Sequence, residues 1–276
     1  MTQTNKPLYE KMLSEPLAFS STDFEALISS YQSPVDQKYN VETALQDLRE
    51  CVKKIYDLNE DRLRETSNAN SGTLGKLNRR STRKRQEDYY KRVENQQPGK
   101  KYIRIYAEGD SWFLFPAFVT DIIDWLQKND HYLIYSDAYG GDWITNILYE
   151  GQYIEALSIH SPDVFLVSGG GNDLVGNSRM AGMVSKTADQ KIKHSAESLA
   201  ILKDEERELI LLAQPYITKD FYAFIWTMKA QYTLLFKGLY ENTGKFEKMI
   251  SLTQGYAYPY PRKENNYSWR YPLQPI

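Results

Sequence analysis

The chain has 276 residues, a net charge of −2, a hydrophobic fraction of 41% and a charged fraction of 25%. That length supports one large domain, or a modest domain with an appendage, around a substantial core. The composition excludes a wholly disordered or collagen-like chain, and the charge excludes a global attraction to nucleic acid or anionic membrane. The lone cysteine, Cys51, forms no intramolecular disulfide and fits a reducing compartment. The segment MTQTNKPLYEKMLSEP lacks the apolar centre of a secretory signal, and no run is long enough to span a bilayer. We therefore expect a cytoplasmic chain without membrane contact. The 22 tyrosines are spread along the chain and read as core and interface rings.

In chain order, residues 23–31 (DFEALISSY) suggest a short helix stopped by Ser33-Pro34. Val41 to Arg64 predicts an amphipathic helix, because Val41, Ala44, Leu45, Leu48, Cys51, Val52, Ile55 and Leu58 recur at helical spacing. The heptad pattern is too short for a coiled coil, so these helices suit a protein partner, self-association or a lid. Asn68 to Gly75 reads as a polar linker. Eight Lys/Arg follow between Lys76 and Arg92, with two tyrosines and with Glu87 and Asp88 interrupting. This run reads as a solvated helix face or tether rather than a nucleic-acid contact. Residues 1–98 thus form a helical N-terminal region with a basic linker.

From Pro98-Gly99 onward the pattern alternates. KYIRIYAEGDS, HYLIYSDAYGGD, SPDVFLVSGGGND and EKMISLTQGYAYP each read as a strand and turn. PAFVTDIIDWLQKN, WITNILYEGQYIEALSIH and a long stretch from Val184 to Thr243 read as helical. Strand–helix alternation predicts an α/β domain over 99–276 with a parallel sheet buried on both faces.

Three of the turns carry chemistry. Ligands of open parallel sheets bind beyond the carboxyl ends of the strands, and this chain places Glu108-Gly109-Asp110-Ser111-Trp112, Tyr139-Gly140-Gly141-Asp142-Trp143 and Ser168-Gly169-Gly170-Gly171-Asn172-Asp173 there. They supply a hydroxyl nucleophile at Ser111, an accessible backbone N–H at Gly141 and an amide donor at Asn172. An acyl-transfer site needs such donors aimed at a developing oxyanion. Trp112 and Trp143 suit a pocket wall or the core equally, and Asp110, Asp142 and Asp173 read as loop-holding residues.

These turns resemble the blocks of the GDSL/SGNH hydrolase superfamily. Gly109 to Trp112 match its first block, Gly141 its second, and Gly170 to Asp173 its Gly-x-Asn-Asp block. The resemblance implies a flavodoxin-like three-layer α/β/α fold over residues 100–276 and ester or acyl hydrolysis of a small-molecule ester. It implies Ser111 as nucleophile, and Ser111 N–H, Gly141 N–H and the Asn172 side chain as oxyanion hole. No Cys/His cluster has zinc-ligand spacing, so no metal is expected, and no cofactor either.

The family's base is a histidine in a C-terminal Asp-x-x-His pair, which this chain lacks. Its histidines are His131, His160 and His194, preceded three residues earlier by Lys128, Leu157 and Lys191. The first two stand at the starts of predicted strands and the third among helical lysines, so each reads as a surface or capping histidine. Only 21 residues follow Gly255, too few for a crossover helix, a strand and the Asp-His loop. The expectation is a truncated SGNH domain, with a pseudoenzyme or binding module as the alternative. Without a fifth strand, the fourth is expected to be an uncovered edge that favours association. A Rossmann-type nucleotide site is disfavoured, since SGGGNDLVG lacks the G-x-G-x-x-G spacing.

Overall fold

The computed structural model describes residues 5–57, 72–115, 120–175, 179–188, 204–242 and 244–254. In chain order it contains α1 (Lys6–Ser14), α2 (Ser21–Ser29), α3 (Val41–Ile55), α4 (Gly72–Glu94), β1 (Ile103–Gly109) and α5 (Ile122–Leu126). There follow β2 (Tyr132–Ser136), α6 (Ile144–Glu150), α7 (Gln152–His160), β3 (Val164–Ser168) and α8 (Gly171–Val175). The last elements are α9 (Arg179–Gly182), α10 (Asp204–Ala213), a 3-10 turn (Gln214–Tyr216), α11 (Lys219–Tyr240) and β4 (Ile250–Thr253). No helix among the described residues is long and apolar enough to cross a membrane. Leu58 to Arg64 of the expected third helix, the PAFV segment at 116–119, His194 and everything after residue 254 lie outside the described residues.

Two compact units emerge. One unit joins Met1–Arg64 to Asp173–Glu247, and the other joins Glu65–Asn172 to Lys248–Ile276. The N-terminal helices therefore share a core with the late helical stretch, while the basic segment belongs with the strands.

The first unit is helical. Asn40 caps α3 by accepting from Thr43 N–H at 3.1 Å. The apolar stripe of α3 then places Ala44, Leu48 and Cys51 in one cluster with Tyr9 and Met12 of α1, Phe24, Leu27 and Ile28 of α2, and Ala230 and Leu234 of α11. Wet ends of buried rings are satisfied internally. The Tyr9 and Tyr31 hydroxyls bond at 2.6 Å, and Tyr31 donates to Asp47 Oδ2 at 2.8 Å.

The second unit is built on a parallel sheet in the order β2-β1-β3-β4. Strand alternation sends Ile105, Ala107, Ile134 and Leu166 to one face, where they pack with Ile123 of α5 and with Phe113 and Leu114. The opposite face carries rings: Tyr106 stacks with Phe165 at 5.6 Å, Phe165 with Tyr153 of α7 at 6.2 Å, and Tyr135 with His160 at 3.8 Å. Helices thus flank both faces, giving an α/β architecture. The expected single helix over residues 143–160 is two, α6 and α7, meeting at left-handed Gly151 (φ 67°). Among the described residues β4 pairs only with β3, and its Ile250 and Leu252 are exposed.

The other sheet edge is closed by α4. In β2 the odd positions face β1: His131 O accepts from Ile103 N–H, and Asp137 N–H donates to Ala107 O. The even carbonyls point outward, and side chains of α4 meet them. Arg92 donates to Tyr132 O (3.4 Å), Gln86 to Ser136 O (3.3 Å), Thr82 to Ala138 O (3.2 Å) and Asn78 to Gly140 O (2.9 Å). The helix therefore runs antiparallel to β2. Four helical residues rise about 6 Å, and two strand residues about 6.6 Å, so a polar stripe at i, i+4 keeps step with alternate edge carbonyls.

Arg85 completes this face. It is buried, donates to Phe113 O, and holds Asp121 Oδ2 and Asp124 Oδ1 at 2.6 Å each. Asp121 caps α5 through a capping box with Asp124. Burial keeps the Asp121 carboxyl above its ordinary range even with Arg85 beside it. Replacing Arg85 by methionine leaves Asp121 buried without its cation, and such losses cost about 3–5 kcal/mol. Urea unfolding of R85M should show a loss of that size; a loss under about 1 kcal/mol would mean that the pair is close to energetically neutral.

Candidate functional site

The carboxyl end of β1 runs straight into the first turn. The Asp110 carbonyl accepts from Phe113 N–H and Leu114 N–H at 3.0 Å each, closing a helical turn around Ser111. Asp110 Oδ1 accepts from Trp112 N–H at 3.1 Å and from Ser168 Oγ at 3.0 Å. The aspartate is buried and occupied in holding the loop. Ser111 is half-buried, and among the described residues its hydroxyl has no hydrogen-bond partner.

Close approach explains the preceding glycine. A Cβ at Gly109 would lie 2.6 Å from the carbonyl oxygen of Ser168. Only glycine lets the ends of β1 and β3 come this near. The same residue anchors the second turn, because Gly109 O accepts from Tyr139 N–H at 2.7 Å. Gly141 follows with φ 91°, a left-handed conformation that other residues adopt only with strain. The third turn ties back to the second: Asn172, the second residue of α8, donates Nδ2 to Asp142 O at 2.9 Å. The structure thus links the three turns pairwise at one end of the sheet and brings Ser111, Gly141 and Asn172 to that end.

The neighbouring aromatics divide. Trp143 is 2% exposed and belongs to the core, whereas Trp112 is 49% exposed beside Ser111, as is Phe115 at 42%. Asp142 Oδ1 accepts from Trp143 N–H at 2.8 Å. The Asp173 carbonyl accepts from Tyr56 Oη at 2.6 Å and Arg179 Nε at 2.9 Å, so it serves the helical unit.

Neither described histidine is at the turns. His131 stands before β2, exposed, with Nδ1 2.9 Å from Lys101 O. His160 ends α7 ahead of β3, at the amino end of the sheet, where it stacks on Tyr135 and burial lowers its pKa. It is therefore part of a ring cluster rather than a surface or capping residue. No group of three or more His, Cys, Asp or Glu with metal-holding geometry occurs among the described residues.

Sequence reading missed two features of the site. Asn78, Thr82, Arg85 and Gln86 of α4 brace the second turn, the Ser111 loop and the end of β2, but a polar inward face has the same composition as a solvated one. The second feature is an acid pair under Gly109. Glu108 is buried; its Oε1 accepts from Gly109 N–H at 3.0 Å and its Oε2 from Tyr106 Oη at 2.8 Å. Asp137 shares the same hydroxyl at 3.2 Å and accepts from Gln86 Nε2 at 2.7 Å. Both carboxyls lie on one face of adjacent strands, and alternation with the flanking rings was the available signal.

Burial, and then the charge of Asp137, push the Glu108 carboxyl well above its ordinary value of 4.5; burial raises Asp137 too. The folded state therefore holds protons that the unfolded chain releases. This contribution is fully present below the unfolded-state carboxyl values and is lost as pH rises through the folded ones. Each group gives a slope of up to about 1.4 kcal/mol per pH unit. The urea midpoint should fall as pH rises from 5 to 8, and Glu108→Gln should flatten that fall and raise the midpoint at pH 8. A wild-type midpoint independent of pH would contradict a neutral Glu108.

Searches against protein-family models, curated proteins and solved structures found no match to this chain.

Proposed function

We propose that the second unit carries an SGNH-type acyl-ester site on a flavodoxin-like α/β/α frame, with Ser111 as nucleophile and with no histidine beside it among the described residues. The observation that supports it is the pairwise tying of the three turns: Tyr139 to Gly109, Ser168 to Asp110 and Asn172 to Asp142. That linkage fixes one hydroxyl and a set of N–H donors at the end of a parallel sheet where ligands bind.

In this reading Ser111 Oγ adds to the carbonyl carbon of a small-molecule ester. The oxyanion is held by Ser111 N–H, Gly141 N–H and one hydrogen of Asn172 Nδ2, whose other hydrogen is donated to Asp142 O, and the hydroxyl proton passes to solvent. The C–O bond to the alcohol breaks, the alcohol leaves with a proton, and water hydrolyses the acyl-serine. Preorganised donors are the larger part of such catalysis. Where no general base serves Ser111 the rate falls roughly 10²–10⁴-fold, so this reading expects slow turnover.

One observation favours a second reading, a binding crevice without turnover: His131 and His160 both lie at the amino ends of strands, away from Ser111. Fluorophosphonate labelling separates the two. The hydrolase reading expects slow labelling of the folded chain that disappears in Ser111→Ala. Absence of labelling, or labelling that survives Ser111→Ala, would overturn it and leave the binding crevice.

A further inference from the structure

The third turn leads into α8, a helix of five residues, Gly171–Val175. A helix this short is costly to nucleate and gains little from its own hydrogen bonds. The last four carbonyls of an α-helix have no intrahelical partner, and the Asp173 carbonyl is one of the four here. Asp173 is buried, and a buried carbonyl needs a partner. Two side chains supply it. Tyr56, the residue that closes α3, donates Oη at 2.6 Å from 117 positions earlier in the chain. Arg179, the first residue of α9, donates Nε at 2.9 Å. The two donors also support each other. The guanidinium carbon of Arg179 lies 5.6 Å from the centre of the Tyr56 ring, and that ring packs on Phe224 of α11 at 6.1 Å.

We propose that Tyr56 and Arg179 are positioning residues for Asn172: by clamping the carbonyl of Asp173 they fix the helical turn that carries the Asn172 amide. The proposal rests on the preceding reading for the role of that amide as an oxyanion donor. Asn172 and Asp173 are consecutive, and planar peptide units leave only two soft torsions per residue between the clamp and the side chain. Within one helical turn those torsions are set together. The Asn172 amide is tied on its other side, where Nδ2 donates to Asp142 O at 2.9 Å. That bond holds one amide hydrogen, and the aim of the second depends on where the backbone of α8 sits. A misplacement of about 1 Å can cost a catalytic group roughly 10²-fold. Tyr56, Arg179 and Asp173 all belong to the helical unit, so the clamp forms inside it, and the Asn172–Asp173 peptide bond carries its effect to the third turn. The N-terminal helices thereby acquire a task in the reaction: through Tyr56 they hold the turn on which Asn172 stands.

The test uses the full chain and two variants. Tyr56→Phe removes the hydroxyl and keeps the ring; Arg179→Lys keeps the charge and removes the Nε donor. Tyr9→Phe is the control, since it removes a buried hydroxyl of the same unit that bonds Tyr31 rather than α8. Fluorophosphonate labelling of Ser111 is resolved into a binding constant and a maximal rate. Loss of one oxyanion donor costs about 10²–10³-fold, so a displaced one should cost Tyr56→Phe about tenfold or more in the maximal rate, with the binding constant unchanged. Tyr9→Phe should label at the wild-type rate even where its melting temperature falls as far. In an Asn172→Ala background Tyr56→Phe should have no further effect, as expected of residues that act as a unit. The second readout needs no reactive serine: the side-chain amide pair of Asn172 in a nitrogen–proton correlation spectrum, identified by its loss in Asn172→Ala. Tyr56→Phe and Arg179→Lys should each move or broaden that pair, and Tyr9→Phe should leave it in place. A wild-type labelling rate in folded Tyr56→Phe, an equal slowing in Tyr9→Phe, additive losses with Asn172→Ala, or an Asn172 amide unmoved by both clamp variants would overturn the proposal. Where the wild type is not labelled at all, the hydrolase reading falls and the amide spectrum alone decides. A shift then keeps the clamp as a device that orients Asn172 in a binding crevice, and no shift overturns it.

Discussion

A parallel sheet ends in two rows of backbone groups that need partners, and the second unit meets one row with side chains rather than another strand. The outward carbonyls of Tyr132, Ser136, Ala138 and Gly140 receive donors from Arg92, Gln86, Thr82 and Asn78. This works because a helical i, i+4 repeat and a two-residue strand repeat differ by only about half an ångström. It also makes the rest of the site possible. The same helix reaches past the end of β2 to Gly140, and through Arg85 it holds the carbonyl of Phe113 and the cap of α5. The second turn and the Ser111 loop are therefore braced by one rigid rod.

The strands and their turns were legible in the sequence because apolar β-branched and aromatic runs ending in glycine have few alternative meanings. Parallel direction followed from the strand–helix alternation, and the structure sets the strands in the order β2-β1-β3-β4. The role of α4 was not legible. Hydrophobic periodicity finds buried faces by their apolar residues, and here the buried face is Asn78, Thr82 and Arg85, inside a segment read as a linker and solvated run. The partition into units was hidden for a different reason. Packing of α3 against Ala230 and Leu234 joins residues about 180 apart in sequence, which no local pattern encodes.

At the site, the glycines carried the legible information. Gly109 is fixed by the approach of Ser168 and Gly141 by its left-handed backbone. What surrounds them was less readable: whether Trp112 or Trp143 was core depended on which helix faces the sheet, and no local pattern marks Glu108 as buried. Its burial beside Asp137 means that the Ser111 loop stands on a polar, proton-holding base rather than an apolar one. Low local dielectric makes such a network stiff when fully satisfied.

The closed edge along β2 has a consequence for assembly. A sheet with two open edges can add copies without limit, whereas one sealed by a helix has a single direction of growth left, which among the described residues lies beyond β4. Two chains meeting there about a two-fold axis would use up both remaining edges at once, with α4 as the outer border on each side. Association through the exposed Ile250–Thr253 edge would therefore terminate at a pair, and the polar stripe of α4 would be what keeps such a pair from becoming a fibre.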